Sequence, residues 1–468
     1  MLWLALSLPE LPLQALESPA GGCVAVIERK GSCRSLAACN TACATAGVQI
    51  GMDATTALAL MPALRLLERS PRREREALKA LAAWAGQYSG FVSFKAERLL
   101  LWLEAGSSLR LFGGLEPLQE RICADLGALG YTAHIGAAPT PEAAALLARL
   151  HQPPCLHRAE LVERLAPLPL TALDLEPAWL EGLRESGLRR IGELLALPRD
   201  GMARRFGPEL VDALRRLTGE LPDPRRPQPP PRSYRRRFEL LGAVESSEAL
   251  LFPLRRLLGE FQGYLQARDD AVQELRLLLV HDGRASTSLA LRTTAPLREA
   301  ARLYALARER LAACTVPAPV TELILLAEHF VPYGDTQLEL LDSGRQRDQA
   351  WSGLLDKLRA RLGHEAVREL GLRDDHRPER AWAVVGEGKQ APVVAGAELP
   401  ERPLWLLEPQ PLHRLPPLCG TPERIEAGWW DGADSARDYY SAEAADGARL
   451  WLYRDAANGQ WFLHGLWA

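Results

Sequence analysis

The chain is short of cysteine, of net charge and of long apolar runs, and each shortage removes a class of protein. Eight cysteines in 468 residues are too few for a disulfide framework, and none pair as CxxC knuckles. Cys39 and Cys43 stand four apart, a spacing that would set two ligands on one helix face, but no His or second Cys pair follows at a useful distance. They read as small buried hydrophobes. The formal charge of -3 supplies no global attraction for nucleic acid, so any contact with DNA needs local basic patches. No stretch approaches the ~18 apolar residues of a membrane-spanning helix. Met1 to Leu8 is apolar, yet it has no basic flank and is too short for a signal peptide. It reads as a buried strand, and the cytoplasm is the expected location. HExxH, Walker and GxSxG motifs are missing, and the nine histidines are scattered. His281-Asp282 and Asp375-His376 read as solvated turns, so neither metal nor cofactor is expected.

What is present is a mixture of sheet and helix signals in a chain too long for one core, which points to several domains. Residues 1–165 alternate apolar strands (Trp3 to Leu8, Cys23 to Glu28, Leu99 to Leu103, Thr132 to Ile135) with helical runs at Arg73 to Tyr88, Leu115 to Leu129 and Thr140 to Leu150. Helices dominate 166–220. There Gly187-Leu188-Arg189-Arg190-Ile191-Gly192 forms a glycine-bounded turn between short helices, with a second pair near Phe206-Gly207. Such a turn either presents backbone N–H groups to a phosphate, as in a helix-hairpin-helix, or is a plain helical turn with glycine caps.

Residues 221–233 are rich in proline and arginine, and Arg232, Arg235, Arg236 and Arg237 continue the positive run. This is a stiff, extended segment, either lying along a phosphate backbone or simply solvated. Residues 234–332 then read as βαββαβ, with Asp282-Gly283 marking the central hairpin. After a polar stretch (333–348), residues 349–468 begin with an amphipathic helix, Gln349 to Leu362, and end Trp-rich. Ala448 to Arg454 and Trp461 to Trp467 flank Asn458-Gly459, a type I′ hairpin signal. The tryptophans are the core of a small module, a partner-binding surface, or both.

The order of these segments resembles that of the Y-family DNA polymerases: a palm (1–165) carrying inserted fingers (about 20–75), a helix-hairpin-helix thumb, a basic linker and a little finger. Local strings agree. Gly47-Val48-Gln49-Ile50-Gly51-Met52 resembles the family's Gly-Val-x-x-Gly-Met, and Ile135-Gly136-Ala137-Ala138 its Gly-Ile-Ser segment. Leu111-Phe112-Gly113-Gly114, Gly187 to Leu194, Pro422-Glu423-Arg424-Ile425 with Gly428-Trp429-Trp430-Asp431-Gly432, Arg437-Asp438-Tyr439-Tyr440 and Trp461-Phe462-Leu463-His464-Gly465 resemble a non-catalytic subgroup. The resemblance implies an α+β multidomain fold with a small C-terminal module.

It also implies a lost active site. Polymerases of the family hold two Mg²⁺ ions with an Asp-x-Asp on the first strand and an Asp-Glu later. Ser7 and Pro9 fall on the first pair, Lys95 and Ala96 on the second. Thr41 and Ala44 replace a triphosphate-gripping Tyr and Arg, and Pro141 replaces a Lys. The only nearby carboxylates are Glu10 and Glu97, the basis of the alternative reading as an active translesion polymerase. Thr336-Gln337-Leu338-Glu339-Leu340-Leu341 resembles a sliding-clamp-binding peptide, with Gln337, Leu338, Leu340 and Leu341 as contacts and Leu341 where an aromatic is common. Expected partners are therefore DNA, bound by its backbone through Gly187, Arg189, Arg190, Gly192 and the linker arginines, and the β sliding clamp. An ImuA-type protein, an error-prone DnaE-type polymerase and RecA complete the set, in SOS-linked translesion synthesis and mutagenesis.

Overall fold

In the computed structural model the described residues are 1–16, 22–31, 33–333, 343–363, 366–368, 370–373, 375–384 and 401–467. They fall into two compact units, Met1–Arg361 and Leu362–Ala468.

The first unit opens with β1 (Trp3–Ser7) and the short α1 (Leu11–Gln14). An excursion follows: β2 (Val24–Lys30), β3 (Cys33–Cys39), α2 (Thr41–Thr45), α3 (Ala54–Leu60) and β4 (Arg65–Glu68). The chain returns through α4 (Pro71–Ala85), β5 (Val92–Lys95), β6 (Leu100–Glu104), α5 (Leu109–Phe112), α6 (Leu115–Ala128), β7 (His134–Ala138) and α7 (Pro141–Arg149). The main sheet has the order β5-β6-β1-β7, and the excursion makes its own sheet, β3-β2-β4.

Why β1 is apolar throughout follows from what covers it. Trp3 and Ala5 face a core shared with Leu100, Trp102 and α7, whereas Leu2, Leu4, Leu6 and Leu8 face α4 and α6. Both faces of the sheet are buried, so no polar alternation survives. The last strand starts two residues later than expected, because Tyr131 still closes the end of α6 on Leu126 and the Thr132 N–H is taken by the Gln14 side chain. Cys39 and Cys43 do not share a helix: Cys39 ends β3, and Asn40 caps α2 by accepting the Cys43 N–H. Cys43 is buried, with its thiol against the Val24 carbonyl.

Five helices come next: α8 (Arg158–Leu165), α9 (Pro177–Glu185), α10 (Ile191–Leu195), α11 (Arg199–Phe206) and α12 (Pro208–Thr218). Their apolar stripes join the Trp3, Ala5 and Trp102 face of the sheet as one core. The expected βαββαβ order is observed as β8 (Tyr234–Val244), α13 (Leu251–Arg268), β9 (Asp270–His281), β10 (Arg284–Leu297), α14 (Ala300–Ala312) and β11 (Val320–Ala327). Its strand order is β10-β9-β11-β8, with β12 (Val331–Pro332) added to β9. His281 pairs directly with Arg284, leaving Asp282-Gly283 as a two-residue turn.

This domain sits on α4 through α13. A Cβ at Gly263 would lie 2.1 Å from the Trp84 ring, so only glycine permits the helices this close. The proline-rich segment before β8 is tied down as well. Gln228 donates to the Val92 carbonyl on the edge strand β5, and Tyr264 and Arg268 both donate to the Pro231 carbonyl. Helix α15 (Ser343–Leu362) closes the unit.

The second unit pairs β13 (Leu370–Leu372) with β14 (Trp382–Val384). It also builds a five-stranded antiparallel sheet from β15 (Trp405–Pro411), β16 (Leu418–Ala427), β17 (Ser435–Glu443), β18 (Arg449–Asp455) and β19 (Trp461–Leu466). The expected terminal hairpin is the β18–β19 pair, one part of a wider sheet. Its turn is longer than two residues: Arg454 faces Trp461, and the Asp455 and Asn458 side chains accept from Ala457 and Gln460. The outer strands β15 and β16 each carry an irregular register and prolines (Pro409, Pro411; Pro422).

Candidate functional site

The register of the main sheet brings two of the singled-out positions to one level. Leu100 of β6 faces Ser7 on one side and Lys95 on the other, and Ser7 also faces His134. In-register residues of antiparallel strands share a face, so a hydroxyl, an ammonium and an imidazole line one end of the sheet. Two strand spacings, roughly 10 Å, separate the Ser7 and Lys95 backbones. Ser7 is buried and Lys95 exposed. The His134 ring meets His151 edge-on at 4.0 Å between centroids; burial, then the second imidazole, lowers its pKa.

Of the two spare carboxylates only Glu10 reaches this set, as a charge that partly offsets the lowering at His134. Glu97 lies in the short turn after β5 and is drawn to Arg75 on α4, the helix covering the opposite face of the sheet. Its carboxyl is held below the usual range by its own backbone N–H and by Arg75. Glu10 is exposed and accepts from Gln14. Thr41 and Ala44 sit exposed on α2 in the excursion. Pro141 is buried at the first turn of α7, where a ring without an N–H fits a helix start. Among the described residues no three His, Cys, Asp or Glu side chains gather as a metal-holding set. Ser7, Pro9, Lys95 and Ala96 do not fit a two-magnesium centre, since they offer no anionic oxygen.

Beside them lies a cluster that sequence reasoning missed. Arg98 grips Glu142 bidentately at 2.8 and 2.9 Å and reaches Asp174 at 2.5 Å. Arg225, from the proline-rich segment, bonds Glu142 and Asp223 and stacks 3.8 Å above the Trp102 ring. Trp102 is fully buried, and its indole N–H donates to the Pro141 carbonyl. Burial pushes the Glu142 carboxyl up, but the two guanidiniums outweigh it and hold it below its usual range. The network ties α7, the helical region and the linker together. Nothing in spacing announced it, because its members are separated by up to 127 residues' worth of chain between Arg98 and Arg225.

The arginines expected to meet DNA separate into two groups. Arg236 points into the core face of its domain, where it pairs with the fully buried Glu260 at 2.7 Å. It is out of reach of a phosphate, which corrects its placement among the DNA-facing residues. Arg232 and Arg235 are exposed, and Arg237 pairs with Glu322 and Glu239. Strand register sets Arg235, Leu326, Arg276 and Ala290 in one row across the sheet face that carries no helix. Arg237, Ile324, Leu278 and Ser288 form the next row. Arg276, paired with Glu328, and Arg292, paired with Glu274, also lie on this open face and were missed; alternation of side chains along β9 and β10 was the signal.

The glycine-bounded turn is present, with Gly187 at φ 85°, but its donors are already used. Glu193 accepts from the Arg189 and Arg190 N–H groups at 2.7 and 3.1 Å, and Ile191 and Gly192 donate to Leu168 and Ala166. A carboxylate of the chain stands where a phosphate was expected. The Arg189 and Arg190 side chains remain exposed.

The impB/mucB/samB family matches residues 14–149. Protein ImuB of Caulobacter vibrioides, strain NA1000 / CB15N, is 30% identical over 470 residues, covering 90% of this chain and 99% of the relative. The same protein from strain ATCC 19089 / CIP 103742 / CB 15 matches identically. The chain belongs to the ImuB family. Similar solved structures include the insertion ternary complex of Dbh DNA polymerase, 14% identical with a TM-score of 0.40 over 70% of this chain and 98% of that one. DinB from Sulfolobus solfataricus is also 14% identical, with a TM-score of 0.39 over 71% and 100%.

The second unit of this ImuB-family chain sorts its tryptophans. Trp451 is buried with Tyr439 and Tyr453, whereas Trp429 and Trp430 are exposed on the turn between β16 and β17. That turn is anchored by Arg377, which is buried between Asp375 and Asp431. Hydrogen bonds from Arg377 hold both carboxyls down to about 2. Gln337, Leu338, Leu340 and Leu341 lie outside the described residues. Among the described residues no helix is long and apolar enough to cross a membrane.

Proposed function

We propose that this chain is a non-catalytic scaffold of translesion synthesis. It lies on the DNA backbone without reading sequence, holds the β sliding clamp through Gln337, Leu338, Leu340 and Leu341, and recruits an error-prone DnaE-type polymerase. An ImuA-type protein and RecA act beside it, in the cytoplasm and under DNA-damage control. Residues 1–165 serve as palm and fingers, 166–220 as thumb, 234–332 as little finger, and 349–468 as the partner-binding region.

The observation that carries this reading is the pairing of Ser7 and Lys95 across Leu100 at the sheet end. Phosphoryl transfer needs anionic oxygens to neutralise the metals and the charge in flight. An exposed ammonium at that end of the sheet repels a divalent ion and supplies no oxygen to hold it. Primer extension with purified protein and Mg²⁺ tests it: no template-directed incorporation is expected, and incorporation abolished by Glu97→Gln would reverse it in favour of an active polymerase. Clamp pull-down should fail when Gln337, Leu338 and Leu340 become Ala.

The occupied donors around Gly187 and the buried Arg236 favour a narrower form of DNA binding, resting on the open sheet face. Salt-dependent binding of primed DNA that weakens on Arg235→Ala with Arg276→Ala supports it. Binding indifferent to salt and to those changes would leave an interaction protein that no longer touches DNA.

A further inference from the structure

Helix α15 is attached to the βαββαβ domain the wrong way round. Its one acid between Trp351 and Leu362 is Asp356, which is buried and accepts from the backbone N–H and the hydroxyl of Thr294 at 2.8 and 2.7 Å. Ala360, one turn on, packs against the domain core. At 100° per residue, Trp351, Leu354, Leu358 and Leu362 form a stripe on the side away from Asp356 and Ala360. They are 60%, 48%, 37% and 60% exposed. A surface helix ordinarily buries its apolar stripe and shows its polar one; here the polar contact fixes the helix and the leucines face outward.

We propose that this stripe is a docking strip for an amphipathic helix of another protein whose apolar seam is flanked by carboxylates. The charge around it decides the occupant. Lys357 and Arg361, both exposed and four residues apart, lie along one side of the stripe, and the only acid of this stretch is consumed by Thr294. A second copy of this chain would bring cation against cation and has no carboxylate to offer here, so self-pairing is disfavoured. A helix with Glu or Asp beside its leucines meets both needs. The segment from Trp351 to Leu362 spans ~17 Å, enough for about three turns of a partner. The strip lies within 349–468, read above as the partner-binding region, and its role rests on that reading; clamp and DNA binding, carried by other residues, fail or persist separately from it.

The probe is a hydrocarbon-stapled, fluorescein-labelled 18-residue peptide with Leu at a and d and Glu at e and g, whose own like charges keep it from self-pairing. It is titrated into the full chain and followed by anisotropy. The expected result is saturable binding that weakens with salt. Loss of the leucines (Leu354→Ser with Leu358→Ser) weakens it about tenfold or more, and Lys357→Glu with Arg361→Glu about fivefold. Clamp pull-down stays unchanged in both variants, and an unchanged Tm shows that they fold. Three results overturn the proposal: no binding of the Glu peptide; equal binding of its Lys-for-Glu counterpart; or a dimer of the chain, vesicle adsorption or primed-DNA binding that these substitutions abolish while peptide binding persists.

Discussion

Two groups of arginines in the first unit are used in opposite ways. Arg98, Arg225 and Arg236 are inside, each fastened to a carboxylate, the first two also over the Trp102 ring and the third against the buried face of α13. Arg235 and Arg276 stand level with one another on an open sheet face. Arg235 and Arg236 are neighbours in the chain, and the two-residue period of β8 sends them to opposite sides. Charge density along a sequence is therefore not charge density on a surface: the inner arginines shape the body, and the outer ones stay at the open face, Arg276 with Glu328 beside it at 2.9 Å.

The sharpest way to break this contrast is Glu260→Ala, which strands the Arg236 guanidinium in the core. A loss of about 3–5 kcal/mol in urea unfolding is expected, and a loss below ~1 kcal/mol would mean Arg236 reaches solvent after all. The second unit sharpens the contrast with an opposite solution, a buried base kept neutral. His464 is enclosed by Tyr439, Trp451 and Tyr453, with Glu379 and Arg437 nearby; burial lowers its pKa to about 4 against the opposing pull of Glu379, with Arg437 a smaller lowering influence. The unfolded chain takes up this proton near pH ~6.5 and the folded one only near 4. Stability of this unit is then full above pH ~6.5 and falls as the pH drops toward 4, by up to ~3 kcal/mol. His464→Phe should flatten that dependence in pH-resolved unfolding.

Arg225→Met keeps the stem over Trp102 and removes the charge-assisted bonds to Glu142 and Asp223. About 1.5–3 kcal/mol should be lost, with Arg98 still satisfying Glu142. The smallest effect on stability belongs to the outer pair: Arg235→Ala with Arg276→Ala should change it by no more than ~0.5 kcal/mol. The same double variant should reduce the salt slope of primed-DNA binding by about two.

The sequence made the elements legible where one physical signal dominates. The Asp282-Gly283 hairpin, the βαββαβ order and the doubly buried β1 follow from turn chemistry and apolar patterning. The inserted sheet of β3 and β4 was not read, since neither strand carries a clean alternation. Contacts between distant positions were the other blind spot. The proline-rich segment looked like a free basic strap, but its Arg225, Gln228 and Pro231 each find partners elsewhere in the fold. Likewise, Glu193 reads as an ordinary helix residue until its carboxylate is seen filling the turn beside Gly187.

The outer strands of the C-terminal sheet have one more implication. Each breaks its own rail of hydrogen-bonding groups, with prolines and a slipped register in both β15 and β16, so neither border is a template for a neighbouring molecule's strand. Copies of the chain brought together would not zip into ribbons through this sheet. A contact with this sheet is then left to side chains instead of backbone pairing.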